Sequence, residues 1–170
     1  MTAAAEGPAG EPVAQADLDA VTAQLGRPVR GVAAIAHRCP CGRPDVVTTR
    51  PQLPDGTPFP TTFYATCPRL TGALSTLESS GLMRDMSARL EADAELAAAY
   101  DAAHRDYLRR REALGQVPQI EGISAGGMPT RVKCLHVLAA HALAAGLGVN
   151  PLGDEVLAVL EPWWRDGPCV

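Results

Sequence analysis

The chain has 170 residues, a formal net charge of −4 and a hydrophobic fraction of 46%, enough for one compact domain with its own core and too little for two. An acidic balance without a dense basic patch excludes a protein that tracks nucleic acid through its phosphates. The longest apolar stretch, 134–149, carries His136 and His141 and is shorter than the roughly 20 residues a membrane span needs, so no membrane insertion is expected.

Alanine occurs 29 times while aromatics make up 4% of the chain, which predicts a helix-rich core of small side chains. Arginine supplies all the basic residues except Lys133, and Asn150 is the sole asparagine, a skew expected of a GC-rich genome. The opening residues have neither a cationic nor an apolar signal region. With five cysteines, the expectation is a cytosolic protein whose thiols stay free for metal or catalysis.

Residues 1–13 read as a disordered tail, 14–165 as one domain and 166–170 as a second tail. Leu18, Val21 and Leu25 share a helical face that Gly26 ends. Gly31–His37, Asp45–Arg50 and Thr61–Thr66 read as three short strands, separated by the turn Arg38-Cys39-Pro40-Cys41-Gly42-Arg43-Pro44 and by the proline-rich run 51–60. Together they predict an antiparallel meander.

Helices dominate from Pro68 onward. Pro68 suits a first helical position, with Cys67 as N-cap and a stop at Gly81; a second helix covers Leu82 to Leu90. A long third helix follows the N-cap Asp93, buries Leu96, Tyr100, Ala103, Tyr107 and Leu114, and carries Arg109-Arg110-Arg111 at its C-terminal end, where cations suit the dipole. After a glycine-rich loop, Pro129 is expected to open a helix through Ala145, and Asn150-Pro151 to cap a last one ending near Leu160. Trp163-Trp164 is expected to dock the C-terminus on the body or, as an exposed pair, to anchor a partner of a structural interaction domain. The fold class is α+β: a three-stranded antiparallel meander packed with five to six helices.

In a meander, the first turn and the end of the third strand share one edge of the sheet. Neighbouring strands lie about 4.8 Å apart, so Cys39 and Cys41 in that turn and Cys67 at that end should converge within roughly 10 Å. Cys134 is the expected fourth ligand, with His37, His136 and His141 as alternates, and Cys169 is expected to stand outside the cluster. Four thiolates suit zinc or a [4Fe-4S] cluster equally by ligand type. Without a metal, Cys67 at a helix N-terminus would be a nucleophile, with His37 or His141 as base and Lys133 nearby as a compact cation.

The run Gly122-Ile123-Ser124-Ala125-Gly126-Gly127-Met128-Pro129-Thr130-Arg131-Val132-Lys133 sets flexible backbone before a predicted helix N-terminus. Ser124, Gly126, Gly127, Thr130, Arg131 and Lys133 are therefore expected to cradle a phosphate or carboxylate, although the spacing is not that of a nucleotide-hydrolysing loop. The expected partners are an anionic small molecule or another protein.

The strings His37-Arg38-Cys39-Pro40-Cys41-Gly42, Leu53-Pro54-Asp55-Gly56-Thr57-Pro58-Phe59-Pro60-Thr61, Thr66-Cys67-Pro68-Arg69-Leu70, Gly122–Pro129 and Arg131-Val132-Lys133-Cys134-Leu135-His136 resemble the bacterial domain-of-unknown-function family 501, over about Leu25 to Trp164. The resemblance implies no activity and no catalytic residue. It implies an actinobacterial type of protein, encoded near enolase, a septum-formation initiator and an exopolyphosphatase, and hence a link to cell division or polyphosphate.

Overall fold

The computed structural model describes residues 10–169. Strands β1 (Val32–Arg38), β2 (Pro44–Thr49) and β3 (Phe63–Ala65) form an antiparallel sheet in that order, with Ile35 opposite Val47 and Val46 opposite Ala65. The helices are α1 (Gln15–Leu25), α2 (Pro68–Glu78), α3 (Leu82–Ala92), α4 (Ala94–Glu112), α5 (Leu135–Ala145) and α6 (Pro151–Val159). This is the helix-dominated α+β architecture expected from the sequence.

Both faces of the sheet are covered. Successive side chains of a strand point to opposite sides: Val46, Phe63 and Ala65 join the main core with α2 to α6, while Ile35, Val47 and Tyr64 pack with Val21 and Leu25 of α1. β2 is consequently buried along its whole length, which is why it reads as an unbroken β-branched run rather than an alternating one. α5 is apolar almost all round because it runs through the centre, against α6, the sheet and α2. Gly153 permits the α5–α6 approach, since a Cβ there would lie 2.3 Å from the Leu138 carbonyl oxygen.

Helix starts follow their local signals in three places. Asp93 caps α4 by accepting from the Glu95 and Leu96 amides, Asn150 caps α6 by accepting from Gly153, and Cys67 precedes Pro68 at the start of α2. α5 departs from expectation, opening at Leu135 rather than Pro129. Residues 129–134 are spent on other contacts: Lys133 N–H donates to Gly126 O, Val132 N–H to Ser87 Oγ, and Arg131 O accepts from Tyr100 Oη.

Described residues near both ends of the chain are held by hydrogen bonds to the body. Residues 1–9 of the expected N-terminal tail lie outside the described residues, but Glu11 pairs with Ile35 through two backbone hydrogen bonds of 2.9 Å along β1. Near the other end, Arg69 donates to the carbonyls of Pro168 (3.0 Å) and Asp166 (3.1 Å). Trp163 packs on the main core and meets the more exposed Trp164 edge to face.

Candidate metal centre

The β1–β2 turn holds two thiols in a fixed frame. Pro40 occupies the second position of a tight turn in which Gly42 N–H donates to Cys39 O at 2.8 Å, and Gly42 takes the φ of +90° that the turn's exit requires. Arg38 braces this turn from outside with a bidentate pair to Asp17, a bond to Glu11 and a further one to Gly42 O.

Cys39, Cys41 and Cys169 have their sulfur atoms all within 4.8 Å of one another, Cys41 and Cys169 being 3.4 Å apart. Cys67, at the end of β3, adjoins them through its interaction with the Cys169 thiol. The meander therefore gathers Cys39, Cys41 and Cys67 as expected, but the fourth thiol is Cys169 and not Cys134. The reason is the Arg69 clamp, which folds residues 166–169 back over the sheet edge. Cys39, Cys67 and Cys169 are buried, while Cys41 is exposed at one corner.

Crowded thiols titrate against one another. Burial raises the pKa of Cys39, and burial together with the neighbouring thiols raises that of Cys169. Burial also opposes ionisation of Cys41, but the backbone amides of Arg43 and Cys169 and the two adjacent thiols outweigh it and bring Cys41 to about 7. Of these three thiols, Cys41 is therefore the one most readily ionised.

Cys134 belongs to a different group. Its sulfur, a Glu78 carboxylate oxygen and a His136 ring nitrogen lie within 4.8 Å of one another, where the end of α2 meets the start of α5. His136 Nδ1 is 2.9 Å from Glu78 Oε1, which also accepts the Leu135 amide at 2.8 Å. The adjacent Cys134 side chain lifts the His136 pKa and burial works against it; with Glu78 added, the value reaches about 9.

The remaining expected site residues separate. His37 is paired with the buried Asp45 at 2.7 Å. His141 is wholly buried between Asp106, 2.8 Å from its Nε2, and Asn150, whose Nδ2 donates to its Nδ1 at 3.2 Å. With both ring nitrogens engaged it is a core histidine, not a base for Cys67. Lys133 is exposed on the loop.

The expected anion cradle is closed by its own backbone: the Thr130 and Arg131 amides donate to Gly127 O, Lys133 to Gly126 O, and Ser124 Oγ is engaged by His104 Nδ1 at 2.7 Å. A carboxylate from within the chain, Glu78, takes the first amide of α5. Nothing in the sequence singled out Glu78 or Cys169. The hint for Glu78 was an acid on the last turn of a predicted helix, where the dipole disfavours it unless a partner compensates.

The profile of the family described as proteins of unknown function (DUF501) matches residues 35–158. The chain belongs to this family. The matched span contains Cys39, Cys41, Cys67, Glu78, Cys134 and His136, while Cys169 lies beyond it. Comparison with curated proteins and with solved structures gives no match. Among the described residues no helix is long and apolar enough to cross a membrane.

Proposed function

We propose that this DUF501 protein binds one zinc ion through Cys39, Cys41, Cys67 and Cys169, and that the metal fastens the C-terminal segment to the sheet edge. The observation that carries the reading is the spacing of the sulfurs, three of them within 4.8 Å of one another. Tetrahedral zinc with bonds of about 2.3 Å sets its thiolates about 3.8 Å apart. An iron–sulfur cubane gives each thiolate its own iron and needs them further apart. A set of four thiolates leaves no open position, so this centre supports a binding or regulatory role rather than metal-assisted catalysis.

Purification under nitrogen followed by metal analysis and a visible spectrum tests it. One colourless equivalent of zinc, lost in Cys39→Ser and Cys169→Ser, is expected. Brown protein absorbing near 400 nm would replace zinc with a cluster, and metal-free folded protein whose thiols all react would overturn both.

A further inference from the structure

The geometry points to a second, chemically different metal site, formed by Glu78, Cys134 and His136, which takes a single zinc-type divalent ion and leaves one coordination position open to the cavity between β3, α2 and α5. The three donors are one carboxylate oxygen, one sulfur and one imidazole nitrogen, the mixture that a borderline-soft ion selects. Two thiolate or carboxylate charges and one neutral imidazole would balance a divalent ion.

The surroundings are arranged as they are around metal ligands. His136 Nε2 faces the Thr71 carbonyl at 3.2 Å, an acceptor that holds the Nε2 proton in place, so that a metal would displace the Nδ1 proton shared with Glu78. That Nδ1 is the atom beside Glu78. The carboxylate is itself oriented by the Leu135 amide. Zinc bonds of about 2.0–2.3 Å require donor separations of roughly 3.3–3.6 Å. The 2.9 Å between Nδ1 and Oε1 is a proton-bridged contact that an opening of a few tenths of an ångström converts into a chelate.

Cys134 and His136 line a cavity of about 460 Å³, together with Phe63, Tyr64, Thr66 and Gln24 among others. Gln24 is 8% exposed and Thr66 1%, and Gln24 Oε1 and Thr66 Oγ1 have no hydrogen-bond partner. Both oxygens are shielded from solvent, so the wall would have to shift slightly before a polar ligand, bound through the fourth position of the metal, could satisfy them. Three protein ligands plus an exchangeable water is the pattern of reactive zinc, in contrast to the closed four-thiol centre.

The probe is zinc itself, read at one residue. The full chain is pulsed with iodoacetamide with and without one added equivalent of zinc, and labelling of Cys134 is followed by peptide mass spectrometry. Zinc is expected to slow Cys134 labelling by about ten-fold or more, and His136→Asn and Glu78→Gln to abolish that protection. In a Cys41→Ser background, where the first centre is broken, the protection must persist. A labelling rate indifferent to zinc, or protection that His136→Asn leaves intact, would overturn the inference. Should the histidine variant fold poorly, cobalt(II) added to the Cys41→Ser chain supplies the second reading: a thiolate-to-cobalt band that disappears in Cys41→Ser/Cys134→Ser supports the site, and its absence in Cys41→Ser refutes it.

Discussion

Asn150 joins a helix cap to a buried histidine, and its replacement separates those two contributions. Its Oδ1 accepts the Gly153 amide at 2.9 Å, and its Nδ2 donates to His141 Nδ1 at 3.2 Å, with both side chains fully buried. Asn150→Ala removes the cap, at about 1 kcal/mol, and leaves a buried imidazole nitrogen without a donor, at about 1–3 kcal/mol. A total of about 3 kcal/mol would lower the melting temperature by roughly 6–12 °C in a chain of this size. Asn150→Ser keeps an oxygen that can cap α6 but not the reach to His141, so it should recover about 1 kcal/mol of the loss. Urea unfolding and thermal scans of the three proteins, under identical metal loading, measure both differences. If alanine costs less than about 1 kcal/mol, or serine recovers nothing, the division into cap and buried donor is wrong.

Arg69→Ala should lower zinc affinity at the four-thiol centre by about 10–100-fold without touching a ligand, because the clamp on Asp166 and Pro168 is what presents Cys169; competition with a chromophoric chelator reads this. Gly127→Ala should destabilise by about 2 kcal/mol or more, since Gly127 has φ +93° and a Cβ there would lie 2.7 Å from the Arg131 carbonyl oxygen; chemical denaturation checks it. Asp106 is held at about 2: burial pushes its pKa up, but His141 and Arg110 outweigh burial. The stabilisation is therefore complete above about pH 4 and lost as pH falls through 2, worth roughly 2 kcal/mol. Asp106→Asn should flatten that limb of the stability–pH curve, and a variant curve parallel to the parent would refute the assignment.

Most of the fold was legible because its signals are local. Proline at the first position of α2, Asp93 and Asn150 as caps, and the β-branched run of β2 each act within a few residues of where they stand in the sequence. The start of α5 was not, since Pro129 followed by Thr130 and Arg131 looks like a first helical turn. What prevents it is distant: Ser87 of α3 and Tyr100 of α4 take up the backbone of Val132 and Arg131. The sites divide in the same way. Meander topology brings the β1–β2 turn beside the end of β3, which places three thiols, whereas Cys169 arrives through a side chain 100 residues earlier, Arg69. His136 faces the opposite side of α5 from His141, as helical rotation requires, and that side turns out to face Glu78 rather than solvent.

The two groups of donors lie at opposite ends of one element. Cys67 is the N-cap of α2 and Glu78 is its last residue, a separation along the helix axis of about 16 Å. At physiological salt that is about two Debye lengths, so direct charge coupling between the ends is largely screened where solvent reaches. Mechanical coupling is another matter. Leu70 and Leu74 of α2 are fully buried in the same core that packs Leu135 and Leu138 of α5, and close-packed interiors transmit displacement rather than absorb it. That core is the path left between the two ends, but Glu78 is also tied to α5 at its own end, where its Oε1 accepts the Leu135 amide at 2.8 Å, so its distance to Cys134 and His136 is set locally. For that reason the zinc protection proposed for Cys134 should survive the loss of the four-thiol centre, although each group of donors draws one member from the same helix.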